Sequence, residues 1–161
     1  MTLPDAVRSS LEEVSSNYEI LECDPRYADT AAFCDHYGYP LSNSANTIIV
    51  ASRRGPQRYA ACVVAADTRL DVNGRVRREL AVPKLSFARP DETEDLTGME
   101  LGGVTVFGLP GDLPLLIEET LLDLDYLILG AGTRSAKIKA PPSILCELPG
   151  ARVVAALAGA G

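Results

Sequence analysis

The residues best placed to do chemistry are the glycines of residues 96–114, LTGMELGGVTVFGLPGDLP, where Gly98, Gly102, Gly103, Gly108 and Gly111 surround the apolar run 104–107. Glycine stands where the backbone turns sharply or comes close to another group. A glycine pair entering a β-branched run leaves bare peptide N–H groups, which can form an anion-binding concavity or an oxyanion hole. The same letters also fit two tight turns around a buried strand. Other candidates are thinner. His36 is the only histidine. It falls near a helix end, on a solvent face, where it suits the C-terminal dipole, and no serine or cysteine nucleophile is patterned with it. Cys23, Cys34, Cys62 and Cys146 are scattered without a CxxC pair. That spacing favours reduced, mostly buried thiols over a zinc site or a disulfide framework. GAGTRS at 130–135 opens like a dinucleotide fingerprint. It lacks the third glycine, and a strand-like segment follows instead of a helix.

The chain that must position these residues has 161 of them, 47% hydrophobic. One domain spanning 1–161, with its core at about 11–148, is expected. No apolar run reaches the ~20 residues of a membrane span, and the start MTLPDAVRSS lacks an apolar signal core. The expected location is therefore the cytoplasm, away from membranes. The net charge of −7 argues against a protein that coats duplex nucleic acid through many phosphates. It leaves room for a small basic pocket that holds a nucleic-acid end.

Residues 6–15 carry Val7, Leu11 and Val14 at helical spacing behind Asp5. Residues 18–23 alternate as a short strand. Residues 29–37 read as a helix stopped by Gly38. ANTIIVA at 45–51 and YAACVVA at 59–65 are β-branched runs joined by a turn, a hairpin feeding a buried sheet. A short helix is expected around 74–80. A strand follows at 82–88, with Lys84, Ser86 and Ala88 on one face. Pro90 opens another helix, with acids at its positive end. Strands are expected at 115–118, 126–129 and 136–140, a short helix at 141–148, and a frayed tail at 155–161. Interleaved helices and strands without a strict βαβ rhythm predict an α/β fold with a mixed, partly barrel-like sheet.

In order, the chain reads ANTIIV, VVAADTRLD, KLSFARPDETEDLTG, GGVTVFGLP and YLILGAGTRSAKI. This series resembles the YbaK-type family, the aminoacyl-tRNA deacylases related to the editing domain of prolyl-tRNA synthetases. The resemblance covers about residues 11–148. It implies hydrolysis of the ester between a wrong amino acid and the 3′ end of a tRNA, without metal, other cofactor or covalent nucleophile. Water and the terminal ribose hydroxyl would supply much of the chemistry. The partner would be a mischarged aminoacyl-tRNA, with a synthetase as a further one. Carried over by residue, the family's glycine-rich loop falls on Gly102, Gly103, Val104 and Thr105, whose amides would polarise the carbonyl. The loop's proline position is Val106. The family's strand lysine falls on Asn46, which has a donor and an acceptor but no charge. Losing a charged hydrogen bond worth ~1.5–3 kcal/mol slows a reaction ~10–150-fold. Lys84 on the facing strand, or Arg134 with its phosphate-matching fork, is expected to replace that cation, with a surface ion pair as the other reading of Arg134. Ala45, Ala88, Val104 and Thr105 would shape a pocket for an alanine-, serine-, cysteine- or proline-sized side chain, beside Ser86.

Two further readings follow from the same residues. Asn46, Val106 and the acidic balance fit a pocket that binds an aminoacyl or nucleotide ligand, or a tRNA end, with little turnover. Arg53, Arg54, Arg75, Arg77 and Arg78 fit a docking rim if they gather around the pocket mouth, and a solubilising surface if they disperse.

Overall fold

The computed structural model describes residues 2–161. Along the chain run α1 (Asp5–Glu12), β1 (Glu19–Glu22), α2 (Thr30–Tyr37), β2 (Ala45–Ser52), β3 (Tyr59–Ala65), β4 (Thr68–Leu70), α3 (Arg77–Leu80), β5 (Leu85–Phe87) and α4 (Pro90–Thr97). Then come β6 (Leu115–Glu118), β7 (Leu127–Gly130), β8 (Ala136–Ala140), β9 (Ala151–Val154) and β10 (Ala158–Ala160). The fold is mixed α/β. A five-stranded sheet has the order β5-β2-β3-β6-β9, and a three-stranded sheet the order β1-β8-β7. β4 and β10 form a separate pair.

β2 and β3 form the expected hairpin, with Ala45 opposite Ala65 and Ala51 opposite Tyr59. Both faces of β3 are buried, which is why its sequence reads as an unbroken apolar run. Ala61 and Val63 face the core shared with the three-stranded sheet, where they join Leu127, Leu129 and Ile138. Ala60, Cys62 and Val64 face a second cluster with Leu70, Val76 and Leu80. α1 buries Val7 and Leu11 as their spacing requires, and α2 closes on Gly38 at φ 78°.

The mixed sheet is as expected, and its partial closure stops short of a barrel: the two larger ladders are linked by a parallel bridge, Ser44 to Ile128. Three expectations need correction. The tail is not frayed. β9 lies parallel to β6, and β10 pairs with β4. The Ala158 amide there donates to buried Glu118 at 3.0 Å. Residues 104–107 form no ladder, although Thr105, Val106 and Phe107 are buried. The segment expected as one short helix around 74–80 is a π-turn, Val72–Val76, running into α3.

The link between α1 and β1 is fixed by one carboxylate. Glu147 accepts from the Ser15 and Ser16 amides at 2.7 and 3.1 Å and from both hydroxyls. These donors stabilise the charged form and hold the carboxyl at about 2, against an ordinary 4.5. A depressed acid contributes stability above its unfolded value and loses it as pH falls through the folded one. Glu147→Gln is therefore expected to flatten the fall in melting temperature between about pH 4.5 and 2. Some slope will remain, because the Arg53 ion pair holds Glu92 at about 2 as well. Melting curves across that pH range check this.

Candidate functional site

The hairpin's edge defines a cavity by what it leaves unpaired. The Ser52 amide donates to Arg58 and the Ser44 carbonyl accepts from Ala66, so even-numbered backbone groups of β2 face β3. The Ile49 carbonyl accepts from Ala88, so odd-numbered groups face the other edge. β5 covers that edge only at Val50–Ser52. Ala45 and Thr47 lie beyond its reach, and a gap opens there between the two sheets.

The gap is a cavity of about 250 Å³. Ala45, Asn46, Thr47 and Ile48 form one wall. Ala28, Asp29, Thr30 and Phe33, at the start of α2, form another. Leu101, Gly102 and Val104 of the glycine-rich loop, with Ile128–Gly130 and Lys137 of the second sheet, complete it. The Thr47 hydroxyl in this lining is buried without a partner. Asn46 accepts from the Thr30 hydroxyl at 2.7 Å through Oδ1, which leaves its amide protons free.

The loop begins with a tight turn. The Gly103 amide donates to the Glu100 carbonyl at 2.9 Å, and Gly102 has φ 86°, as a type II turn demands of its third residue. The loop then lies directly on the β7–β8 turn. The Gly103 carbonyl accepts from the Gly132 amide at 2.6 Å. A Cβ at Gly103 would stand 2.7 Å from the Thr133 nitrogen, and one at Gly130 would collide with the Val104 carbonyl. The glycines are thus explained by backbone meeting backbone. Arg134 straps the assembly. Its guanidinium donates to the Leu101 carbonyl at 3.2 Å and to the Pro25 carbonyl at 2.9 Å, and its amide donates to Glu100.

Of the loop amides, that of Gly103 is spent on the turn, and that of Thr105 meets the Met99 sulfur at 3.4 Å. Among the described residues those of Gly102 and Val104 have no acceptor, and both residues line the cavity. Ala45 and Asn46 line it with them. Thr105 is fully buried behind the loop, with its hydroxyl unpaired.

Lys84, Ser86 and Ala88 lie elsewhere. The Lys84 carbonyl meets the Arg53 amide at 2.9 Å, which puts Lys84 roughly 20 Å along β2 from Asn46 at ~3.3 Å per residue. Ser86 accepts from Arg53, which pairs with Glu92 at 2.7 Å. Ala88 packs against the core. Arg134 holds the loop and lies 3.8 Å from Asp29, outside the lining. None of Arg53, Arg54, Arg75, Arg77 and Arg78 lines the cavity. His36 is exposed and stacks on Tyr27 at 3.8 Å. Cys23, Cys34 and Cys62 are buried free thiols and Cys146 is an exposed one; burial pushes Cys62 up to about 12.

Sequence reasoning missed Lys137. It sits mid-strand in β8, between β1 and β7, and is 6% exposed. Its Nζ donates to the Ala28 carbonyl at 2.6 Å and lies 5.7 Å from the centre of the Phe33 ring. Burial pulls its pKa below the ordinary value, partly offset by Cys23 and Asp29. The available signal was AKIKA: Ala136, Ile138 and Ala140 fill the core, which turns Lys137 to the opposite face. That this face is also covered depends on α2, which no local pattern reveals.

The model of the family described as the aminoacyl-tRNA editing domain matches residues 24–145. The chain is 26% identical over 149 residues to the uncharacterised protein YwhH of Bacillus subtilis (strain 168), covering 92% of each. Among solved structures it resembles a proposed trans-editing enzyme for prolyl tRNA synthetase, with TM-score 0.81 and 25% identity over 99% of this chain and 100% of that one. It also resembles a hypothetical protein, APE2540, with TM-score 0.84 and 26% identity over 96% and 100%.

Proposed function

Since the chain belongs to the aminoacyl-tRNA editing domain family, we propose that it hydrolyses the ester linking a small amino acid to the 3′ end of a mischarged tRNA, acting apart from the synthetase that made the error. The observation that carries this reading is the pair of unspent amides, Gly102 and Val104, on the wall of a cavity of about 250 Å³. A tetrahedral intermediate needs donors fixed in advance on its oxygen, away from bulk water. Loop packing on the β7–β8 turn supplies that fixity. A water oxygen adds to the ester carbon, the carbonyl oxygen takes the negative charge against the amides, and the ester C–O bond then breaks. The ribose oxygen leaves with the proton that the water gives up. Asn46, held by Thr30, offers its free amide protons to the ribose or to the carbonyl. Phe33, Ala45 and Ile128 give the acyl group an apolar surround, and such a wall separates one methylene by only ~1–3 kcal/mol.

Purified chain mixed with alanyl-, seryl-, cysteinyl- and prolyl-tRNA is expected to release at least one amino acid faster than buffer alone. No release, with a known editing enzyme active in parallel, would overturn the reading. Asn46→Ala is expected to lower kcat/KM about fivefold, because one hydrogen bond of ~1 kcal/mol to the substrate is lost. A second reading, binding without turnover, has the uncharged Asn46 in its favour. Saturable binding of an aminoacyl ligand with no product would select it.

A further inference from the structure

We infer that Lys137 is the anion-binding group of this cavity and that the ligand brings negatively charged oxygen, a carboxylate or a phosphate, to its ammonium. The inference rests on the cavity being the substrate site.

Removing an ammonium from water without a counter-charge is costly, so buried lysines are normally paired. Lys137 is not. Among the described residues no carboxylate lies within ion-pair distance of it. Its one polar partner is the neutral Ala28 carbonyl at 2.6 Å. An ammonium has three protons to donate; one is used, and the residue lines the cavity. Asp29, the carboxylate in the same lining, is turned outward with its side chain 80% exposed and lies beside Arg134. The charges are thus ordered, with the carboxylate at the mouth and the cation within. The neighbouring polar groups repeat the pattern. The Asn46 amide protons and the Gly102 and Val104 amides are free donors. A cavity rich in unspent donors around an unneutralised cation is built for an acceptor-rich, negative group.

Two parts of an aminoacyl-tRNA end carry such oxygen: the terminal phosphate and the side chain of an acidic acyl group. Three lysines, Lys84, Lys137 and Lys139, make the chain well suited to NMR with lysine labelled at 13Cε. The probes are AMP, aspartic acid α-amide, which has a side-chain carboxylate and no α-carboxylate, and alaninamide, which has neither. The Lys137 resonance is expected to move with AMP if the phosphate is the group bound, or with aspartic acid α-amide if the acyl carboxylate is. Lys84 should stay still in both cases. Lys137→Met is expected to weaken the effective probe at least tenfold, and Lys137→Arg to keep most of the binding. A still Lys137 resonance with all three probes, or equal movement with alaninamide, would show a strut for Ala28 and overturn the inference. The titration needs no turnover. Anion binding without hydrolysis of any tRNA would therefore sink the hydrolase reading alone. Full hydrolysis by Lys137→Met would sink this inference alone.

Discussion

Adding one methyl group at Gly103 should reduce hydrolysis about a hundredfold while leaving the protein folded. The position does not require glycine for its backbone angles, since its φ is not in the left-handed region. Alanine is locally permitted there. The obstacle is space. The new Cβ would lie 2.7 Å from the Thr133 nitrogen, 2.9 Å from its carbonyl carbon and 3.0 Å from that of Gly132. These are backbone atoms of a turn bonded to the same loop, so no side chain can swing aside. Restoring ordinary contact lifts the loop by about 1 Å, and a misplacement of that size costs ~10²-fold in a positioned reaction. The Gly102 and Val104 amides move with it. Gly130→Ala, whose Cβ meets the Val104 carbonyl from the other side, should act alike. Single-turnover deacylation beside melting curves checks this. A large loss of rate with a small shift in melting temperature is the expected pattern. Wild-type rates in both variants would remove the loop from the chemistry.

The second large effect is on stability. Phe107 is fully buried in the core that both sheets share. It follows the cavity-lining part of the loop and fixes it from below. Gly108 then packs against α1, with φ 77° and a notional Cβ 2.8 Å from Ala6 backbone. Phe107→Ala should cost about 3–5 kcal/mol, the range for emptying a buried aromatic site. In a chain of this size that corresponds to a fall of roughly 6–20 °C in melting temperature. Leu101→Ala, at the 67% exposed tip of the same loop, should change stability little. Thermal melts of the pair separate anchoring from mere membership of the loop.

The sequence made the elements legible where their signals are local. The β2–β3 hairpin, α2 stopping at Gly38 and α4 opening at Pro90 all carry their own caps, turns or periodicity. The glycine pair also announced a close approach, though not its partner, the β7–β8 turn some thirty residues on. What stayed hidden depends on distant contacts. β9 is a strand because β6 offers it a parallel edge, and β10 because β4 is free to pair. Lys84 looked like a pocket cation because it lies on a strand beside β2. The ladder puts that strand at the far end of β2, so its alternation was irrelevant to the cavity. Lys137 drew no notice in AKIKA. It became a buried cation only because β8 is the middle strand of its sheet and the start of α2 covers it.

The central claim is that substrate oxygen meets the Gly102 and Val104 amides inside this cavity. The direct measurement is the backbone amide NMR spectrum during titration with 3′-aminoacylamino-3′-deoxyadenosine, which mimics the tRNA end and cannot be hydrolysed. The amides of Gly102 and Val104 should shift most, with Asn46 moving beside them. Saturating shifts elsewhere, with those two amides unmoved, would contradict it.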